Sequence, residues 1–172
     1  FLDLCDTFNL PLLIFLDMPG FMLGSHAERI ATMRRGARAL IASAECQVPK
    51  IEFMVRKSYG VAADAPNSIG LPNGINLRFG WPSGEWGGIP IEGGVAAAYR
   101  REIEAADDPA AHREAIEERL LRLRSPFKAA HKGDVVDLID PRETRALACR
   151  FVKLAQPKLA ELANRPKRAV RP

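Results

Sequence analysis

The stretch Leu10-Pro-Leu-Leu-Ile-Phe-Leu-Asp-Met-Pro-Gly-Phe21 does most to decide how this chain of 172 residues folds. It contains a short apolar run that ends in Asp17, a pattern typical of a strand buried on both faces. We predict a strand over Leu10–Asp17 and a turn over Met18–Phe21, because Pro and Gly favour turns. Strands buried in this way belong to sheets covered by helices, so the stretch points to an α/β fold.

The segments around this strand complete an alternating pattern. An amphipathic helix over 1–9 precedes it, and a helix over Ser25–Ala44 follows it. A second strand, Lys50–Val55, leads into the loop Arg56–Gly60 and then into an alanine-rich segment that opens another helix. This alternation predicts a parallel sheet, in which ligands bind at the carboxyl ends of strands and near helix N-termini. We therefore expect the chemistry in the loops after the two strands.

The rest of the chain is mainly helical and is predicted to form one domain over 1–163. The first helix, over 1–9, has neither an initiator Met nor an N-cap, so we expect the chain to be part of a longer protein. The further predicted elements are a strand at Ile75–Phe79, a Gly- and Pro-rich connection at Trp81–Pro90, helices over 91–106 and 110–124, a strand at Val135–Ile139, and a helix from Pro141 to about Ala163.

Composition excludes several classes of protein. Hydrophobic residues make up 47% of the chain, enough for one compact core. Cys5, Cys46 and Cys149 are odd in number and widely spaced, which indicates reduced, mostly buried thiols and a cytoplasmic location. The three histidines lack the spacing of metal ligands, and no apolar run reaches the roughly 18 residues of a membrane span. We predict neither a metal site nor a membrane partner.

Most of the net charge of +4 lies in the last nine residues, 164–172. We predict that this segment is a basic, flexible tail, because chain termini are commonly frayed and solvated. No nucleic-acid motif and no second basic block accompany it, so we expect no nucleic-acid partner.

Seven short motifs follow one another along the chain, and each alone would be weak evidence. They are Asp17-Met-Pro-Gly-Phe21, Arg34-Arg-Gly-Ala-Arg38, Val48-Pro-Lys50, Arg56-Lys-Ser-Tyr-Gly60, Trp81-Pro-Ser-Gly-Glu85, Ser125-Pro-Phe127 and Asp137-Leu-Ile-Asp-Pro-Arg-Glu-Thr-Arg145. In this order and spacing they resemble the carboxyltransferase (beta) subunits of biotin-dependent acyl-CoA carboxylases, of the propionyl-CoA and acetyl-CoA type. The resemblance covers roughly residues 1 to 160 and matches only the carboxyl-terminal half of such a subunit.

The resemblance implies a crotonase-like fold, the β-β-α spiral, and an enzyme that works as a homo-oligomer built from dimers. In this family the amino-terminal half binds CoA, the carboxyl-terminal half receives biotin, and the active site lies between halves of opposite subunits. The implied partners are therefore the N-terminal carboxyltransferase half of a second subunit and the biotin carboxylase and biotin carrier subunits. The isolated half is expected to be inactive.

The implied reaction moves a carboxyl group from carboxybiotin to a short-chain acyl-CoA, acetyl-CoA or propionyl-CoA, through an enolate. The protein would mainly stabilise negative charge, a task suited to the unpaired amides at a helix N-terminus. By resemblance, the amides of Val61 and Ala62 beside Gly60 would hold the ureido oxygen of biotin, and Asp64 would lie by the acyl group and influence substrate choice. Asp17, Pro19, Gly20 and Phe21 would line the adjoining biotin pocket.

Two departures from the family pattern bear on the biotin side of the site. Val61 stands where family members usually have Gly; a β-branched residue prefers negative φ and adds bulk beside the proposed amides. Ile30 and Ala31 follow Glu28 in the loop where family members often carry small residues. Both changes are expected to narrow or reshape the biotin side, and with it the activity.

Taken without the resemblance, the same residues also fit a simple turn at Gly60, a capping or solvated carboxylate at Asp64 and a turn at Pro19-Gly20. Two other functions stay open. One is a subunit of a biotin-dependent acyl-CoA decarboxylase, which runs the transfer in reverse with an integral-membrane partner. The other is a non-catalytic assembly or biotin-docking module. The large aromatics Trp81, Trp86 and Phe21 are expected to anchor loops rather than to stack on a ligand.

Overall fold

The computed structural model describes residues 1–66, 75–91 and 93–165. The helices are α1 (Leu2–Phe8), α2 (Ser25–Arg29), α3 (Thr32–Glu45), α4 (Gly60–Asp64), α5 (Gly94–Ala98), α6 (Arg100–Glu104), α7 (Pro109–Leu123), α8 (Pro126–Lys132) and α9 (Thr144–Leu162). The strands are β1 (Leu12–Met18), β2 (Lys50–Tyr59), β3 (Asn76–Gly80), β4 (Glu85–Gly87) and β5 (Asp137–Leu138).

The strands form one parallel sheet in the order β1-β2-β3-β5, with β4 paired to β2. The strand β2 is its centre: Lys50 lies opposite Leu12 of β1 and Asn76 of β3, while the last three residues of β2 pair with β4. All pairings among these strands are parallel, as the alternating sequence pattern predicts. The α/β prediction is therefore confirmed. The prediction that the first strand is buried on both faces is wrong, because β1 is the edge strand and its Leu13 and Phe15 are 41% and 59% exposed.

Side chains of β2 alternate between two hydrophobic layers, as the pleat of a strand requires. Ile51 and Phe53 pack with Phe151 of α9 on one side of the sheet. Met54 packs with Ala63 of α4 on the other side. The helix α4 is thus seated on the sheet directly after the strand that leads into it, which fixes its N-terminus at the carboxyl end of β2.

The strand β2 is longer than the sequence indicates. We predicted a loop over Arg56–Gly60, but the strand continues to Tyr59 because its end forms a ladder with β4. The segment Trp81–Pro90 was predicted as a connection only, and it contains β4. Three residues of regular pairing are too short to leave a periodic pattern in the sequence.

The helix predicted over Ser25–Ala44 is two helices. Ala31 adopts the left-handed conformation, with φ 56° and ψ 45°, and caps the start of α3. A residue in that conformation cannot continue a right-handed helix, so the chain bends between α2 and α3. The predicted helix over 91–106 is likewise divided, into α5 and α6, and α8 was not predicted.

The C-terminal elements follow the sequence closely. Asp108 caps α7, with its side chain accepting hydrogen bonds from Ala110 N and Ala111 N. Pro141 opens a 3-10 turn with a capping box between Asp140 and Glu143, which leads directly into α9. The strand predicted at Val135–Ile139 is shortened to two residues.

Beyond α9, the guanidinium of Arg165 pairs with the buried carboxylate of Asp6 at 2.6 Å. Residues 166–172 lie outside the described part of the chain, so the flexible tail over 164–172 and the domain boundary at 163 stay predictions. Cys5 and Cys46 are buried, Cys149 is exposed, and all three thiols are free. Across the described ranges, every helix is too short or too polar to cross a membrane.

Candidate functional site

An open cleft of about 930 Å³ lies at the carboxyl end of β2. Its floor and walls come from the turn between β2 and α4, from β3 and β4, and from α5, α7 and α8. Its lining residues include Gly60, Val61, Asp64, Arg78, Trp86 and Tyr99. The cleft occupies the position that the parallel sheet predicts for a ligand site.

The turn at Gly60 requires a glycine. Gly60 has φ 61°, and a Cβ added to it would stand 3.1 Å from the carbonyl oxygen of Gly88. A residue with a side chain would be strained by this backbone conformation and crowded by that oxygen. The chain therefore passes from the extended Tyr59 directly into α4, whose first amides have no acceptor within the helix and no side-chain cap.

Val61 and Ala62 point to opposite sides of α4. The Val61 side chain is 55% exposed and lines the cleft. The Ala62 side chain is buried and lines a second, apolar pocket of about 660 Å³ behind the helix. Positive φ among non-glycine residues of the described part occurs only at Asn9 and Ala31, so Val61 has an ordinary backbone conformation. The expected conflict between a β-branched residue and the backbone here is absent, and its bulk remains.

The loop after β1 lies next to the turn at Gly60. Gly20 has φ 113°, and a Cβ on it would be 3.9 Å from the carbonyl oxygen of Tyr59. Phe21 lines the apolar pocket and points the tip of its ring at α3, where a Cβ on Gly36 would lie only 2.3 Å from the Phe21 Cζ. The structure thus brings together Gly20, Phe21, Gly60 and Ala62, on two sides of one short helix.

Asp17 has a different position from the one expected. Its carboxylate accepts hydrogen bonds from Arg56 Nε, at 3.2 and 3.1 Å, and from the Lys57 amide, at 3.1 Å. These bonds, that of Arg56 first, lower the pKa of Asp17. Asp17 and Pro19 line neither of the two cavities. Asp17 therefore joins the ends of β1 and β2 rather than facing the cleft.

Asp64 lines the cleft and pairs with Arg78, which was not predicted as a site residue. Arg78 Nη1 lies 3.4 Å from Asp64 Oδ1, and Arg78 Nε lies 2.9 Å from Glu52 Oε2. Glu52 is completely buried, whereas the Asp64 side chain is 62% exposed. Glu52 and Arg78 are charged residues within two otherwise apolar predicted strands, and this pattern could have indicated a buried ion pair.

Tyr59 anchors the wall formed by β4. Its hydroxyl donates to Glu85 Oε2 at 3.0 Å, and Arg124 Nη1 donates to the same oxygen at 3.2 Å. Burial, together with the nearby Glu85 carboxylate, raises the pKa of Tyr59, so the phenol stays neutral. This cluster ties α7 to the sheet and fixes the width of the cleft.

Trp81 and Trp86 both pack on the core of the protein, and Trp86, which lies in β4, also lines the cleft. Trp81 donates from Nε1 to Thr144 Oγ1 at 3.0 Å and packs on the core beneath β3. Trp86 packs against the core cluster that contains Met54. No three His, Cys, Asp or Glu side chains within residues 1–66, 75–91 and 93–165 are grouped closely enough to hold a metal ion.

The model of the carboxyl transferase domain family matches residues 1–170. The carboxyltransferase subunit of propionyl-CoA carboxylase from Haloferax mediterranei is 42% identical over 146 residues, which are 84% of this chain and 28% of that protein. The alpha subunit of methylmalonyl-CoA decarboxylase from Propionigenium modestum is 37% identical over 146 residues, 84% of this chain and 28% of that protein.

A solved structure of the transcarboxylase 12S hexamer, with methylmalonyl-CoA and methylmalonic acid bound, superimposes with a TM-score of 0.74 at 34% identity. The match covers 99% of this chain and 31% of that one. The chain therefore spans less than a third of the length of these relatives. It belongs to the carboxyl transferase domain family and has the crotonase-like α/β fold of that family.

Proposed function

We propose that this chain is the biotin-side half of a carboxyltransferase that transfers a carboxyl group from carboxybiotin to a short-chain acyl-CoA. The observation that supports this most is the meeting of Gly60, Val61 and Asp64 in one cleft at the end of β2. By family resemblance, Gly60 and Val61 would bind biotin and Asp64 would influence the choice of acyl group.

The first turn of α4 supplies the proposed anion-binding groups. The amides of Val61 and Ala62 belong to the first four of the helix, which have no intrahelical acceptor, and Gly60 keeps the approach to them free of a side chain. The ureido oxygen of biotin would be held there, since such amides and the helix dipole favour negative charge. When bound, carboxybiotin supplies the carboxyl group and the base that deprotonates the acyl-CoA.

The apolar pocket behind α4 is proposed to support this arrangement. Phe21 and Ala62 both line it, and the tip of the Phe21 ring contacts α3 at Gly36. Asp17 would act indirectly, by holding the end of β1 against β2 through Arg56. We therefore retain Gly20 and Phe21 as neighbours of the biotin site, and assign Asp17 a role in positioning that loop.

The partners are proposed from the family to which the chain belongs and from the hexamer assembly of its relative, the 12S transcarboxylase. We propose that the site is completed by the N-terminal carboxyltransferase half of a second subunit, in a homo-oligomer built from dimers. A biotin carrier and a biotin carboxylase subunit would deliver the carboxyl group. A cytoplasmic location remains a prediction from the sequence.

A decarboxylase is the second candidate, because the alpha subunit of methylmalonyl-CoA decarboxylase is 37% identical to this chain. It would use the same cleft to move the carboxyl group from an acyl-CoA to biotin. The two functions differ in what drives them: a carboxylase complex consumes ATP, and a decarboxylase needs an integral-membrane partner.

The test is carboxyl transfer between methylmalonyl-CoA or malonyl-CoA and free biotin by the intact subunit, compared with this chain alone. Val61→Phe should narrow the cleft beside the first amides of α4 and lower kcat/KM by at least about tenfold, since a small misplacement of reacting groups is costly. Val136→Phe is the matched control, because Val136 is 62% exposed and lies outside the cleft.

Transfer by the intact subunit, lost in Val61→Phe and kept in Val136→Phe, would support the proposed site. Absence of transfer with both acyl-CoA compounds, together with retained binding of a biotin carrier, would instead support the assembly module. ATP-dependent carboxylation by the purified native complex would decide for the carboxylase over the decarboxylase.

A further inference from the structure

A chain of three charged side chains runs from the core of the sheet to the cleft. Glu52 of β2 and Arg78 of β3 lie opposite each other in the parallel register. Their side chains are 0% and 7% exposed, and Arg78 Nε lies 2.9 Å from Glu52 Oε2. A second nitrogen of the same guanidinium, Nη1, lies 3.4 Å from Asp64 Oδ1 at the end of α4.

Burying the Glu52–Arg78 ion pair costs desolvation free energy, which suggests a role that an apolar pair could not perform. Removing two charges from water costs several kcal/mol per ion in proteins, and apolar replacements of similar volume are often as stable. On the same face of β2, Met54 packs against Leu16 and Ala63, and the buried Lys50 lies two residues before Glu52. The buried pair is therefore weakly justified as a source of stability alone.

The geometry gives Arg78 a second role. A guanidinium is planar and carries donors on three nitrogens, so it can be fixed by one carboxylate and still orient another. Glu52 fixes Arg78 from the interior, and Arg78 then presents Nη1 to the mouth of the cleft. In the part of the chain that the structure describes, Arg78 is the charged partner of the Asp64 carboxylate, which is 62% exposed and could otherwise change rotamer.

We propose that Arg78, fixed by Glu52, is a positioning residue that sets the orientation of the Asp64 carboxylate and thereby the acyl-group selectivity of the site. This inference rests on the proposed function, which places Asp64 beside the acyl group. A fixed carboxylate presents a hydrated charge to the end of the acyl chain, so each further methyl group has to displace that hydration. A mobile carboxylate can turn away, and discrimination between acyl groups weakens.

The test measures kcat/KM of the intact subunit for propionyl-CoA and for acetyl-CoA and compares their ratio among variants. Arg78→Lys keeps a cation for Glu52, but a lysine has no second nitrogen to hold Asp64. A contact between partly exposed charges contributes about 0.2–1 kcal/mol, so the ratio should change by roughly 1.5- to 5-fold. The kcat for the preferred substrate should change less than the ratio.

A double-mutant cycle separates this role from a structural one. If Arg78 acts through Asp64, Arg78→Lys should leave the ratio unchanged in an Asp64→Asn background, because the interaction is already removed. A merely structural role would lower kcat/KM for both substrates together, and would do so equally in both backgrounds. That result would overturn the proposal.

Two further variants keep the test decisive if Arg78→Lys is unstable. Glu52→Gln with Arg78→Gln removes both buried charges at once and avoids leaving either charge unpaired; it should fold and show the same change in ratio. Arg165→Lys weakens another poorly exposed arginine–carboxylate pair, that with Asp6. Neither residue lines the cleft, so this variant should leave the ratio unchanged. If the wild-type subunit transfers carboxyl groups but no Arg78 variant alters the ratio, this proposal fails while the proposed function stands; absence of transfer in wild type would reject the proposed function instead.

Discussion

Gly60→Ala is expected to reduce carboxyl transfer far more than it reduces stability. The substitution places alanine at φ 61°, in the left-handed region, which costs roughly 1–2 kcal/mol. For a domain of this size, about 1 kcal/mol corresponds to a fall in Tm of roughly 2–4 °C, so a fall of about 2–8 °C is expected. The new Cβ also lies 3.1 Å from the Gly88 carbonyl oxygen, so the loop or α4 has to move by a few tenths of an ångström.

That movement displaces the amides at the start of α4. Removing one donor that stabilises developing negative charge costs about 100- to 1,000-fold in kcat in a well-studied enzyme. Displacement without removal should cost less, so we expect a decrease in kcat of about 10- to 100-fold. Transfer from methylmalonyl-CoA to biotin and a thermal melt, measured on the same preparation, give the two quantities.

Gly133→Ala is the matched control for this experiment. Gly133 ends α8 with φ 81°, and a Cβ there would meet nothing within 4 Å. It should show a similar fall in Tm, because the backbone strain is the same, and should keep its activity. Equal loss of activity in the two variants, or full activity in Gly60→Ala, would refute the reasoning about the start of α4.

Three further outcomes are expected. Gly36→Ala should displace the Phe21 ring, because the new Cβ would lie 2.3 Å from Cζ, and the KM for biotin should rise. An unchanged KM would show that the apolar pocket does not contribute to biotin binding. Ala31→Gly should raise the free energy of unfolding by about 0.5–1 kcal/mol in urea titrations, since glycine accepts φ 56° without strain, and a decrease would contradict this. Burial raises the pKa of Cys46 from 9.0 to about 11. Between pH 9 and 11 this thiol therefore ionises in the unfolded chain while it is still protonated in the folded chain, so the free energy of unfolding should fall by roughly 2–3 kcal/mol over that range. Cys46→Ala should show a correspondingly smaller fall over that range, and an identical fall would contradict the shifted pKa.

The sequence predicted the parts of the fold that rest on local patterns. The apolar runs that became β1 and β2 were placed correctly because both consist mainly of large apolar residues, although only β2 is buried along most of its length. The final helical segment was predicted to begin at Pro141, where the 3-10 turn that leads into α9 begins, because Pro suits the first helical turn. Both signals lie within a few residues of the element that they define.

Features that depend on distant partners could not be predicted. Arg56 and Lys57 made the end of β2 resemble a loop, and only the pairing with β4 and the bonds to Asp17 show that it is a strand. Lys50, which is buried, is satisfied by Ser43, seven residues earlier, through bonds of 2.8 and 3.1 Å. Such charges appear in the sequence as solvated residues, because their partners come together only in the folded chain.

Val61 shows how the structure changes the meaning of a departure from a family pattern. If this position required a positive φ, a valine would strain the turn and argue for a degenerate site. The positive φ instead falls on Gly60, and Val61 occupies an ordinary helical position with its side chain at the cleft. The substitution therefore leaves the start of α4 intact and alters only the volume next to it. A change of this kind favours retuning of the proposed biotin site over its loss, so the test of function is the size of the side chain at position 61 rather than its backbone conformation.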